Sequence, residues 1–200
     1  MSTKRKKVNW GTGIGGFVIL IIIFISIMTW FYPFSPFSVN KSYSFTPKEV
    51  LHNGKTYEEE LSEFKAAYEE DLKKDLEGDN YNPTVDRTQY VLPIFEQEWI
   101  IGTDSKSLDK DELDRMLFDV EQARETLLDL VSEGNYNKEE KGYLVDNIKS
   151  FLSLEESIRY IRDGKYFSRS ELQTLFGNLR GDFRTGFEFY TTIFYDRSHK

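Results

Sequence analysis

Glu96 and Glu98, set beside Trp99, are the two carboxylates whose surroundings come nearest to separating an acid from a base. An aromatic wall raises a carboxyl's proton affinity, and a raised carboxyl near an ionised one is the minimum needed to cleave a glycosidic bond. Adjacent acids on a helix are far more often solvated, and spacing sets no acid here apart from its neighbours. His52 and His199 are the other candidates. A carboxylate-bridged metal site in a helical bundle needs Glu-x-x-His on two helices, and neither histidine lies in one. A Ser-His-Asp arrangement would have to recruit one of these same two peripheral residues. The chain has no cysteine, which removes thiol catalysis, disulfide exchange and thiolate metal sites.

Two loops and a glycine cluster complete the chemical search. Neither DNYNPTVD nor TDSKSLDKDE has the alternating oxygen ligands and fixed glutamate of a calcium loop. Gly11, Gly13, Gly15 and Gly16 follow no strand, so they do not read as a phosphate-cradling loop. Gly11 and Gly15 do have the spacing of a helix-dimerisation face, a weak motif that leaves a homodimer open. The expectation is a protein that is not an enzyme, with no catalytic residue, cofactor or metal.

The stronger lead is aromatic. Phe183, Phe187, Tyr190 and Phe194 mark one face of a last helix, and Phe189 and Tyr195 fall off that face. Core membership would explain the first four. Large apolar groups on a second face suggest another protein, so Phe189 and Tyr195 are the candidate partner-binding residues.

The element that positions everything is Gly13 to Tyr32, twenty residues without a charge. As a helix they would span the ~30 Å hydrocarbon core of a bilayer. Lys4, Arg5, Lys6 and Lys7 precede the stretch, while only Lys41 and Lys48 follow at comparable distance, which predicts a cytoplasmic N-terminus and an outer C-terminal domain. Trp10, Trp30 and Tyr32 suit the two membrane interfaces. A cleaved secretory signal is the competing reading, but the apolar run is long and the first alanine is Ala66, so an uncleaved signal-anchor fits better.

Four segments follow: a cytoplasmic basic tail over 1–12, the transmembrane helix over 13–32, a Ser-, Pro- and Phe-rich stalk over 33–55, and an acidic domain over 56–200. Of 26 basic residues four lie before the span and 22 beyond it, against all 34 acids, so the outer part carries a net charge near −12. That argues against nucleic acid and anionic lipid as partners.

Helical periodicity dominates the domain. Thr56 and Glu59 have capping-box spacing before a stripe of Tyr57, Leu61, Phe64, Tyr68 and Leu72. Residues 79–87 read as a loop and 88–101 as a helix kinked or started at Pro93, with short strands as the alternative. Asp109 or Ser107 caps a helix to about Glu133, Asn137 one to about Asp163, and Ser168 with Glu171 begins the last. Glycine, acid and tyrosine recur at EGDNYN, EGNYN and DGKYF, where glycine stops a helix and the aromatic covers the bundle end.

The fold class is therefore mainly α: one transmembrane helix, then a single extracytoplasmic antiparallel bundle of about four to five helices. The function expected is a non-catalytic, single-pass interaction module of a cell envelope, bacterial by composition, with the bilayer and a protein as partners. An anchored receptor for a small ligand is the alternative, and a wall hydrolase the third.

Overall fold

The computed structural model describes residues 10–78 and 81–199. Lys4, Arg5, Lys6 and Lys7, and the side chain of Trp10, lie outside this description. The protein is mainly helical. α1 runs Trp10–Phe31, and none of its described side chains is buried. It is long and apolar enough to cross a membrane, at ~33 Å for 22 residues.

Residues 33–55, expected as an aromatic-rich stalk, are partly built into the domain. Phe34, Tyr43 and Phe45 are core residues. Strand β1, Ser42–Phe45, pairs antiparallel with β2, Lys106–Asp109, in the register Tyr43↔Leu108. The period of two turns Tyr43, Phe45 and Leu108 inward, where Tyr43 stacks on Phe176 at 5.8 Å. The segment then turns at His52–Lys55. Asn53 and Gly54 have φ of 50° and 82°, the positive pair of a type I′ hairpin turn.

α2 spans Tyr57–Glu77 and begins with the expected box, Glu59 accepting from the Thr56 N–H at 2.7 Å. α3, Pro83–Val91, starts inside the expected loop. Asn82 caps it and Pro83 sits at its first position, where a missing N–H costs nothing. Pro93 then shapes a 3-10 turn over Leu92–Phe95, and α4 is a single turn, Glu98–Ile101. The helix expected over 88–101, kinked or started at Pro93, is thus divided near Pro93 into short pieces. They bury Phe95, Trp99 and Ile100, which are the real constraint on the segment.

α5, Lys110–Glu133, α6, Lys138–Asp163, and α7, Arg169–Glu188, have the expected caps at Asp109, Asn137 and Ser168. α6 packs along α5 and against α7, while α3 packs on α5. α2 closes the outside through Phe64 and Tyr57 on Phe187. The glycines after α5 and α6 act differently from expectation. Gly134 and Gly164 have φ of −77° and −65°, so neither is a left-handed cap. A Cβ there would lie 2.0 Å from the Tyr136 ring or 1.9 Å from that of Phe167, so it is close approach that demands glycine.

Two capping-box acids make α2 and α7 pH-sensitive. Hydrogen bonds from the Thr56 backbone and side chain, and from Ser168, hold Glu59 and Glu171 below the usual carboxylate range. A depressed native pKa contributes stability at neutral pH that is lost as pH falls through that lowered value. Amides in the first turns of α2 and α7 are expected to lose hydrogen-exchange protection on acidification before those of the α5 interior, and Glu59→Gln should abolish the effect in α2 alone.

Candidate functional site

The last helix does not continue as α-helix to its end. Phe189–Tyr195 is π-helical, followed by a final turn, α8, Asp196–Ser198. Thr191 and Thr192 donate to the carbonyls of Phe187 and Glu188 at 2.9 and 2.7 Å, satisfying acceptors that the wider i→i+5 register loosens. The change of register carries Tyr195 inward. It is 2% exposed, packs edge-on against Phe64 and donates to Asp71 at 3.1 Å. Tyr195 is therefore a core residue and not a partner contact, because the face assigned from an α-period is wrong for a π-helix. Phe189 remains half-buried.

The other expected residues are dispersed. Glu96 pairs with Lys65 at 2.7 Å. Glu98 pairs with Lys106, whose hydrogen bond pulls its carboxyl down, opposite to what a general acid needs. Trp99 is turned away into the core, with Nε1 donating to Gln97. His199 lies 3.6 Å from Asp71 and stacks on Tyr195, while His52 contacts Glu60 at 3.0 Å. Among the described residues no serine hydroxyl bonds either ring, and no three ligating side chains converge on a metal position. Trp30 is exposed and Tyr32 half-buried at the end of α1. Gly15 is open on the surface of α1.

What the structure does assemble is a groove of about 500 Å³ along α7. Gly177 and Gly181 form its floor, one turn apart. Phe45, Lys48 and Val50 make one wall, and His52, Glu60 and Glu188 close one end. Neither glycine is required by packing, since a Cβ at either would meet nothing within 4 Å. Each lowers helix stability by roughly 1 kcal/mol relative to alanine, so α7 is weaker here with no gain inside the domain. Gly142 in α6 is equally open but lines none of this groove.

No family model, curated protein or solved structure matches the chain.

The groove also carries positive charge. Lys48, Arg180 and Arg184 are among the described cations of the domain that lie in no ion pair, whereas others such as Lys65, Arg115 and Arg159 are paired. Arg180 is 6% exposed and donates to three backbone carbonyls, those of Ile100, Lys48 and Gly102. Burial, and then Arg184, lowers its pKa. Arg184 donates to the Val50 carbonyl at 3.1 Å and lies over the Tyr57 ring at 5.0 Å. Glu60 and Glu188 line the same groove, and Lys48 and Arg184, which form no ion pair with them, are the cations placed to receive a carboxylate beside the open glycines.

Proposed function

We propose that the protein is a non-catalytic, single-pass, membrane-anchored interaction module of a cell envelope. In this reading α1 spans the membrane with its N-terminus in the cytoplasm, and the helical domain lies outside. The α7 groove holds an extended acidic segment of a partner protein. The observation that carries the proposal is the pair of unneeded glycines beside Lys48 and Arg184: an exposed helix is weakened where a chain could lie closest to it. A second reading, an anchored receptor for a small anionic ligand, is supported by the groove's volume, which falls in the range of ligand pockets.

The test is cross-linking of the full-length protein in its native membrane, with three variants beside the wild type. Gly177→Leu/Gly181→Leu is expected to raise stability by somewhat under ~1 kcal/mol per site while abolishing capture of a stoichiometric partner. Gly142→Leu should stabilise similarly and keep the partner. Arg184→Glu should lose it. Equal capture by all four proteins would refute the groove as the partner site. Recovery of the protein alone, with a thermal shift on adding polycarboxylates that the leucine variant lacks, would favour the receptor.

A further inference from the structure

The chain leaving α1 turns back along it. The Phe37 ring meets Phe24 edge-on at 5.3 Å, and the Val39 N–H donates to Thr29 Oγ1 at 3.1 Å. Phe24 precedes the end of α1 by seven residues, so Phe37 reaches ~10 Å down the helix. Phe37 and Val39 are exposed. At the same end Arg169 sits over the Trp30 ring at 5.3 Å and donates to the Trp30 carbonyl. The base of the domain thus contacts the last two turns of α1 through Phe37, Val39 and Arg169.

Four cations gather at this base. Pairing of Ser42 with Asp109 brings Lys41 beside Lys110, and Lys165 lies in the link between α6 and α7, four residues before Arg169. Among the described residues none of the four lies in an ion pair, in a domain where most other cations do. Burial pushes the Lys110 ammonium below its usual range, and Lys165, Lys41 and Arg162 push the same way against Asp163. Lys41 and Lys165 are exposed. The acid facing Lys110 is Asp163, and its carboxylate is already paired with Arg162. Screening confines each charge to about a Debye length, ~8 Å at physiological salt, so the local excess decides what binds there.

We propose that this face binds the phosphates of anionic phospholipids through Lys41, Lys110, Lys165 and Arg169, while Phe37 and Val39 enter the hydrocarbon edge. The inference rests on α1 as a membrane span, because only then does a headgroup layer lie level with Trp30. Lipid contact would hold the domain in one orientation on the bilayer. It also revises the expectation from overall acidity, which treated the charge as evenly spread.

The test reconstitutes the full-length protein in vesicles of phosphatidylcholine and of an equal mixture with phosphatidylglycerol. Electron paramagnetic resonance of spin-labelled lipids then reads the selectivity of the immobilised lipid shell. The variant is Lys41→Gln/Lys165→Gln, which alters two exposed side chains and leaves the basic tail at Lys4 to Lys7 untouched. The wild type is expected to prefer phosphatidylglycerol by roughly fivefold or more over the variant, with the difference falling at high salt. Equal selectivity in the two proteins, with both resistant to carbonate extraction, overturns the lipid site and leaves the span standing. Extraction of the wild type by carbonate overturns both.

Discussion

Arg180→Met should lower the stability of the domain by ~3–5 kcal/mol, a fall of about 10 °C in thermal midpoint for a domain of this size. The guanidinium joins three segments at one point: α7, the chain at Lys48, and the end of α4 with its following loop. Its Nε meets the Ile100 carbonyl at 2.8 Å, and its two terminal nitrogens meet Lys48 and Gly102 at 2.6 and 3.2 Å. A carbonyl left buried without a donor costs about 1–3 kcal/mol, and water entering from the groove would relieve some of that. Arg180→Lys should recover little, because one ammonium cannot reach three acceptors that a planar fork serves together. Hydrogen exchange should show the loss as local opening of residues 46–50 and 100–103 before the α5–α6 pair. A midpoint within 1–2 °C of wild type would mean that the three carbonyls are hydrated without cost and that Arg180 does not hold the groove wall.

That clamp was missed in the sequence, although a signal for it was there. Arg180 falls between Phe176, Phe183 and Phe187 on the face a helical period assigns to the core, and a cation in such a stripe signals a buried polar contact. The helices α2, α5, α6 and α7 were legible because their caps are local: Thr56, Asp109, Asn137 and Ser168 each act within three residues. β1 was not, because its partner lies some sixty residues away and four residues of alternation carry little signal. Its only trace was an aromatic content too high for a free linker. α3 was hidden by Asn82-Pro83, which reads as a turn and serves equally as a cap with proline in the first helical position.

Tyr195 was assigned to the wrong face for a related reason. It appeared surplus because the last helix was given one period throughout, and the π-helical stretch shifts the register just where it lies. The groove's own signal was an absence of side chains. Gly177 and Gly181 stand in a helix with no internal contact that needs them, so the residues proposed to matter are those with nothing to pattern. The base cations were hidden by summation, since a net charge cannot show that Lys41, Lys110 and Lys165 meet from three separate elements.

The second large effect is expected at Glu155, in the pairing of α5 with α6. Glu155 is 1% exposed and its two oxygens are taken by Arg124 at 2.5 Å and Arg159 at 2.9 Å. Arg159 also binds Glu121 at 2.5 Å, and Arg124 binds Glu125 at 2.8 Å. The three positions are not equivalent. Glu155→Ala removes the one acid that, among the described residues, reaches both arginines, leaves the mostly buried Arg124 with a partner at the rim, and opens a void, for a loss of ~3–5 kcal/mol. Arg124→Ala should cost less, because Arg159 still neutralises the carboxylate. Arg159→Ala should cost about 1 kcal/mol or less, since that side chain is 40% exposed and water can replace it. The order of the three, measured by urea denaturation, separates a buried acid held by two cations from a string of surface pairs, in which all three losses would be small and alike. If the network serves stability alone, Arg124→Met/Glu155→Leu/Arg159→Leu should restore most of the loss, because an apolar replacement removes the desolvation cost along with the attraction. If the triple variant regains stability but α5 and α6 exchange faster or populate more than one packing, the charges act to fix how the two helices align.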